Sequence, residues 1–410
     1  MTRWPTKSLT DAYWLQEGPR VRKWQFHNSG IKLLNVANIT KEGVLDLSKT
    51  DRHLSEEEIS KKYSHFLVDA GDLVIASSGI SFDEDGLLRT RGAFVEPRHL
   101  PLCLNTSTVR FKSKEGISTL AWLRYWLDSV EFRGQITRLV TGSAQQNFGP
   151  SHLKATKITL PPLAEQERIV MLLDEADELR KLRAQADRRT TDLIPALFHD
   201  MFGNAKHSWR SSALGELVED FRYGTSNKST GEGKPALRIP NVIQEAVNLD
   251  DLKFVPVSDS EFDRLRLKDG DLLFVRTNGN ADNVGRCAVF DARAIKAAGY
   301  NAEEFIYASY LIRARLQPER VTPLFVQHFL ACPEGCRALR ARSKTSAGQF
   351  NINTEGLCTI PIPVPPLPLQ KEFAARVSEI RAMQAEQAAS RRRLDDLFAS
   401  LLHRAFNGQL

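Results

Sequence analysis

Two stretches of the chain place apolar or small residues at alternating steps of three and four. Behind Pro162 they fall at Ile169, Leu172, Ala176, Leu179, Ala186 and Leu193, with Arg183 and Thr190 filling the gaps. Behind Pro366 they fall at Phe373, Val377, Ile380, Leu394, Phe398 and Leu401, with polar Gln384, Gln387 and Arg391 between. This is the period of a heptad seam, and it predicts two long helices, over 162–194 and 366–403. A proline suits the first helical turn, where its missing N–H costs nothing. Pro195 should kink or end the first helix near Ile194, whereas its counterpart in the second is Ala399. At about 1.5 Å per residue the first helix is roughly 50 Å long. A seam this narrow is no core by itself. The helices therefore pack on each other, antiparallel, or on a partner, with contact tightest near the apolar ends.

The rest of the chain has no long helical period. Gly71-Asp72-Leu73-Val74-Ile75-Ala76 and Gly270-Asp271-Leu272-Leu273-Phe274-Val275 each read as a turn leading into a buried strand. Short helices are expected over 118–130 and 321–331. The two halves also repeat one another. Leu160-Pro161-Pro162-Leu163-Ala164-Glu165-Gln166 returns as Val364-Pro365-Pro366-Leu367-Pro368-Leu369-Gln370, an offset of 364 − 160 = 204. The same offset carries Gln145 to Gln349, Asn147 to Asn351 and Phe202 to Phe406. Val36-Ala37-Asn38-Ile39 matches Ile239-Pro240-Asn241-Val242 more loosely. The fold class is α+β: two mixed blocks, each followed by a long helix, related by a pseudo-twofold axis.

Composition adds limits. With 42% hydrophobic and 26% charged residues the chain is an ordinary globular protein, and no apolar run reaches the roughly 18 residues of a spanning helix. The start, Met1-Thr2-Arg3-Trp4-Pro5, lacks the layout of a signal peptide, so a cytoplasmic protein with no membrane partner is expected. Five scattered cysteines form no disulfide framework, and the one close pair, Cys332 and Cys336, lacks the further ligands of a zinc site. Lys plus Arg exceed Asp plus Glu by 56 to 50, compatible with a polyanion partner. Basic residues gather at Arg180, Lys181, Arg183, Arg188 and Arg189, and at Arg391, Arg392 and Arg393. A solvated helix face explains such runs equally well.

Catalytic motifs are wanting. Asp174-Glu175-Ala176-Asp177 spells the magnesium box of a helicase, yet no phosphate loop accompanies it, and Gly231-Glu232-Gly233-Lys234 is followed by Pro235. Glu232-Gly233-Lys234 and Asp251-Leu252-Lys253 fit a nuclease tail, without an evident acidic partner. No Asn/Asp-Pro-Pro-aromatic motif exists to hold an amino group for methylation. What remains is polar loop chemistry of the kind that reads base edges. Arginine bonds guanine bidentately and asparagine or glutamine bonds adenine. The candidates are Arg276, Asn278, Asn280 and Arg286 after the strand ending at Val275, and Ser77, Ser78, Arg89 and Arg91 at the matching place in the first half. A third set lies just before each long helix: Gln145, Gln146 and Asn147, and Gln349 and Asn351. A polar loop held by its own hydrogen bonds is the competing reading.

With the doubled Pro-Pro-Leu-x-x-Gln helix starts and the Phe202-Gly203-Asn204 and Phe406-Asn407-Gly408 endings, the chain resembles the specificity subunit of a Type I restriction–modification system. The resemblance implies target-recognition domains at 1–158 and 205–362 and helical spacers at 159–204 and 363–410. Each domain would read one half of a split, asymmetric target in double-stranded DNA. The spacers would fix the gap and dock two methyltransferase subunits, which restriction/translocase subunits would join. S-adenosylmethionine, ATP and magnesium would then sit on those partners, and this chain would bind no cofactor and catalyse nothing. A self-contained nuclease or helicase, and the specificity subunit of a modification system without nuclease partners, are the rival expectations.

Overall fold

The computed structural model describes residues 4–82, 86–140, 147–203, 209–242, 246–346 and 348–410. They form two compact units: Met1–Ala184 together with Ala389–Leu410, and Gln185–Ala388.

In the first unit an antiparallel sheet runs Tyr13–Glu17, Thr108–Ser113, Leu73–Ala76, Gly92–Phe94. In the second, the order Val218–Tyr223, Leu311–Leu316, Leu272–Val275, Cys287–Val289 repeats it. The Gly-Asp runs mark an inner strand of each. Gly71 and Gly270 take φ of 90° and 84°, a conformation that favours glycine. Asp72 and Asp271 accept the backbone N–H of Asp69 and Lys268, which closes the turn. The strands that follow are apolar throughout because both faces are covered. Leu73 and Ile75 enter one core while Val74 and Ala76 enter another; Leu272 and Phe274, and Leu273 and Val275, divide in the same way. Behind each sheet lies a smaller one with an antiparallel and a parallel pairing: His53–Leu54, Ile31–Leu34, Leu102–Leu104 in the first unit, and Lys253–Val255, Lys234–Leu237, Ile306–Tyr307 in the second.

The repeated glutamine joins block to helix. Gln166 is fully buried; its Oε1 accepts the Thr119 N–H at 3.0 Å, and its Nε2 donates to the carbonyls of Ile117 and Pro161 at 2.9 Å. Gln370, also fully buried, accepts from Thr322 and donates to Arg320 and Pro365.

The first spacer helix runs Leu163–Thr191 and breaks at Asp192, where Leu193–Phe202 begins. The break sits where Pro195 removes the hydrogen bond to the Thr191 carbonyl and crowds that oxygen. The second spacer is continuous over Leu367–Phe406, ending three residues beyond the 403 its seam predicts. Short helices occupy Leu120–Trp126 and Pro323–Ala331; the expected 118–130 segment is cut because Ser129 caps a new helix, accepting from the Phe132 N–H at 3.2 Å.

Within each unit the spacer segments pair antiparallel. In the first, Arg180 bonds Asp395 at 2.7 Å and lies 4.4 Å over the Phe398 ring, while Trp122 meets Phe406 at 4.5 Å between centroids. In the second, Thr190 donates to Gln387 at 2.9 Å, Gln384 donates to the Thr190 carbonyl at 3.0 Å, and Phe198 packs on Phe373. The polar middle of the seam is thus hydrogen-bonded, with apolar packing toward the ends.

The seam of the first helix is not the expected one. Ile169 and Ala176 are buried, but Leu172 and Leu179 are 37% and 52% exposed, and Leu173 is fully buried in their stead. The inward row is Gln166, Ile169, Leu173, Ala176, Arg180, Arg183, Asp187, Thr190. It still steps by three and four and equals the second helix's row less 204. In the second helix Phe373 and Val377 are fully buried and Phe398 is 9% exposed, as expected, but Arg391 is exposed.

Candidate nucleic-acid interface

Beyond the inner strand of the second unit, Arg276 is held by backbone bonds at both ends. Its N–H donates to the Tyr310 carbonyl and its own carbonyl accepts from Ile352, each at 2.9 Å. Its guanidinium lies 4.8 Å over the Tyr223 ring, with one N–H reaching the Ser309 carbonyl at 3.4 Å. Two loops named separately from sequence become one surface here. Thr277–Asn278 pairs with Gln349–Asn351, which pairs in turn with Lys344–Ser346. The Thr277 hydroxyl donates to Gln349 Oε1 at 3.0 Å. Asn278, Gln349 and Asn351 therefore share one small sheet, and Arg276 stands immediately before its first strand.

Part of the asparagine chemistry is internal. Asn278 Oδ1 accepts the Asn280 N–H at 2.9 Å and the Asn283 amide at 3.3 Å, and Asn280 Oδ1 accepts the Asp282 N–H. The Asn351 amide donates to the Gln349 carbonyl at 3.3 Å. These groups shape the loop while Asn280 and Gln349 stay exposed. Arg286 is exposed and donates to the Asp282 carbonyl at 3.0 Å; Asp282 also pairs with Arg340.

The first unit repeats the backbone of this arrangement without its side chains. The Ser77 N–H donates to the Ser107 carbonyl and the Phe148 N–H to the Ser77 carbonyl. Ser77 is 1% exposed, so its hydroxyl is sealed inside rather than offered to a ligand. Ser78 is half-buried beside it. Arg91 donates to the carbonyls of Ile39 and Gly79 at 3.3 and 3.2 Å, which makes it a brace of the loop. Arg89 is exposed on the hairpin Ser81–Phe82/Leu88–Arg89, beside Phe82, itself 51% exposed. Asn147 is exposed next to Phe148; Gln145 and Gln146 lie outside the described residues.

Tyr223 and Tyr310, 36% and 58% exposed, were not singled out from sequence. They come from strand ends far from Arg276 along the chain, so only the pairing register brings them together. At the place of Tyr223 the first unit has Glu17, whose pKa is raised by burial and partly lowered again by Arg20.

Two of the acidic motifs have structural partners. Asp174 accepts the Tyr125 hydroxyl at 2.6 Å, and Asp177 pairs with Lys181 at 2.8 Å and with Arg180. Asp251 is bound by Lys253 and Arg238, which lowers its pKa, Lys253 contributing most. Among the described residues no group of three His, Cys, Asp or Glu side chains is placed to hold a metal ion, and no helix is long and apolar enough to cross a membrane.

Residues 1–187 match a family model described as the Type I restriction modification DNA specificity domain. The match covers just under half of the chain. The Type I restriction enzyme EcoKI specificity subunit of Escherichia coli K12 is 28% identical over 316 residues, 70% of this chain and 65% of that relative. The chain thus spans just under two-thirds of the length of the curated relative it matches. Two solved structures resemble it over nearly its full length. One, from a study of complex assembly and conformational transition of the type I R-M system, has a TM-score of 0.62 at 17% identity, covering 100% of this chain and 99% of the other. The other, a Type-I restriction-modification S subunit from M. genitalium, has a TM-score of 0.54 at 16% identity, covering 98% and 96%. Their likeness is one of fold, and it extends past residue 187 into the second unit.

Proposed function

We propose that this chain is the non-catalytic, sequence-reading subunit of a Type I restriction–modification complex in the cytoplasm. Its recognition domains, 1–158 and 205–362, each read one half of a split, non-palindromic target in double-stranded DNA. The spacers 159–204 and 363–410 set the gap. One observation carries the reading: two units with the same sheet order and the same loop anchors carry different side chains at the same place, Arg276 over Tyr223 and bonded to Tyr310 in one, a buried Ser77 bonded to Ser107 in the other. A repeated scaffold with unlike loops is what a reader of two unlike half-sites requires.

Two methyltransferase subunits are the expected partners, joined by restriction/translocase subunits. The outward face of the first spacer supports docking of a partner protein. Met171, Leu172, Leu179 and Leu182 are 65%, 37%, 52% and 52% exposed there, more apolar surface than a solvated helix carries. S-adenosylmethionine, ATP and magnesium belong to those partners. Co-expression with candidate methyltransferase subunits and sequencing of modified bases tests the proposal. The expected result is methylation of one bipartite asymmetric sequence that disappears without this chain. The chain alone should neither methylate nor cleave DNA nor hydrolyse ATP; an activity of the lone chain that maps to Asp174 or Glu232 would overturn the reading.

A further inference from the structure

Trp24 is 79% exposed, the most open large hydrophobic side chain among the described residues. It stands on a turn with Arg20, Arg22 and Lys23, all exposed; Arg20 faces Glu17, whose carboxyl pKa it partly lowers. The turn is built to hold the indole outside. Gln25, 5% exposed, accepts the Arg22 N–H at 3.0 Å and donates from Nε2 to Glu58 and to the Tyr63 hydroxyl, each at 3.1 Å. The Gln25 and Phe26 N–H groups close the turn on the carbonyls of Arg22 and Lys23. Arg52 adds a further cation, 5.0 Å over the Phe26 ring.

The turn also stands beside the candidate reading loop of its own unit. Gly18 donates to the Thr108 carbonyl at 2.9 Å, and the Thr106 hydroxyl donates to the Pro19 carbonyl at 2.8 Å. Ser107, between those two threonines, is the residue whose carbonyl anchors Ser77. A Cβ on Gly18 would lie 2.2 Å from the Asn105 carbonyl oxygen, so only glycine lets the segment leave the strand this close. The second unit has Thr225-Ser226-Asn227-Lys228-Ser229 at the corresponding place, with no aromatic residue and one cation.

We infer that Arg20, Arg22, Lys23 and Trp24 form a second DNA contact of the first unit, the three cations lying on phosphates and the indole on an adjoining sugar and base edge. The inference rests on the reading that the first unit binds DNA and adds the residues that grip beside its half-site. Three exposed cations around an open aromatic ring, only Arg20 of them facing a carboxylate, match the charge and stacking surface of a nucleic acid. This grip supplies the first unit with affinity where its reading loop offers a buried serine instead of an arginine.

The test uses the full chain in complex with its methyltransferase partners, a target duplex and a random-sequence duplex of the same length. The triple variant Arg20→Ala/Arg22→Ala/Lys23→Ala should flatten the dependence of log K on log salt by about 2 to 3 units on both duplexes, since each phosphate contact contributes about 0.9. Trp24→Ala should weaken both about tenfold with the salt slope unchanged, and Trp24→Phe should restore most of the loss. The melting temperatures of the variants are measured alongside, because the altered side chains are exposed and should leave folding intact. Unchanged affinity and slope in folded variants overturn the inference, as does loss of methyltransferase co-purification with DNA binding intact, which would make the turn a protein-docking face. A wild-type complex that binds neither duplex would overturn the proposed function itself.

Discussion

In the first unit the inner strand ends at Ala76 and delivers Ser77 between Ser107 and Phe148; in the second it ends at Val275 and delivers Arg276 between Tyr310 and Ile352. The strand order, the Gly-Asp turn and the buried glutamine at the helix start are common to both. Each unit also carries a buried arginine one strand over: Arg110, facing Asp72 at 3.4 Å, and Arg313, paired with Asp220. What differs is the side chain at the anchor, a buried serine in one unit and a half-buried arginine in the other. A backbone anchor tolerates any residue because it uses only N–H and C=O, so the loop can diverge while the sheet beneath stays fixed.

The sharpest break of this comparison is in the shared part. If the two helices use one frame, Leu173→Ala should destabilise the first unit by about 2–5 kcal/mol, as Val377→Ala should the second, while Leu172→Ala stays within about 0.5 kcal/mol. Urea unfolding of the intact chain reads all three, and equal losses at positions 172 and 173 would refute the shared frame.

Next comes a difference between matched core positions. His328 stands where the first unit has Tyr125, and burial, aided by Arg381, lowers its pKa to about 4. The folded state keeps the ring neutral while the unfolded chain protonates near pH 6.5. Stability from this site is therefore complete above about pH 6.5 and declines as pH falls toward 4, by on the order of 3 kcal/mol. Tyr125, whose pKa is raised mainly by burial, carries no such dependence in acid. Melting between pH 7 and 4 should show the second unit weakening through this site, and His328→Phe should remove that part of the slope.

Arg276→Ala should cost about 1–3 kcal/mol, roughly 5- to 150-fold in affinity, for DNA carrying the intact second half-site, and nothing extra when only the first half-site is altered. Equal loss on target and random duplexes would make Arg276 a backbone clamp. The smallest effect belongs to its support. Tyr223→Leu removes the ring under the guanidinium and should weaken the same half-site by about 0.5–1 kcal/mol, measurable in the same titration.

Much of this was legible in the residues. The offset of 204 exposed the repeat, and the apolar runs after Gly71 and Gly270 exposed the inner strands. The frame of the first helix is not legible locally, because Leu172 and Leu179 satisfy a heptad as well as Leu173 does. Hydrophobicity alone does not separate a seam from a docking face. The offset held the answer, since it carries Val377 to Leu173. At the candidate interface, Asn278 and Gln349 could be named from residue type, and their shared sheet could not, because register between segments 72 residues apart leaves no local mark. The burial of Ser77 and the loop bonds of Arg91 were not legible for a related reason. A polar residue after a strand looks the same whether it faces solvent or braces its own loop, and only burial distinguishes the two.

The first unit is closed by Ala389–Leu410, whereas the second is one uninterrupted stretch, Gln185–Ala388. During synthesis the second unit has every residue it needs once Ala388 has left the ribosome. Trp122 must wait for Phe406, 284 positions later, to receive the ring that packs 4.5 Å from it. At about 5–20 residues per second that delay is on the order of tens of seconds. Throughout it, the face formed by Trp122, Tyr125, Ile169 and Leu173 lacks the part of its cover that Phe398, Leu402, Ala405 and Phe406 provide. The half made first is thus completed last, and a nascent chain stalled before its final helical turns would present a sticky aromatic surface to holdase chaperones.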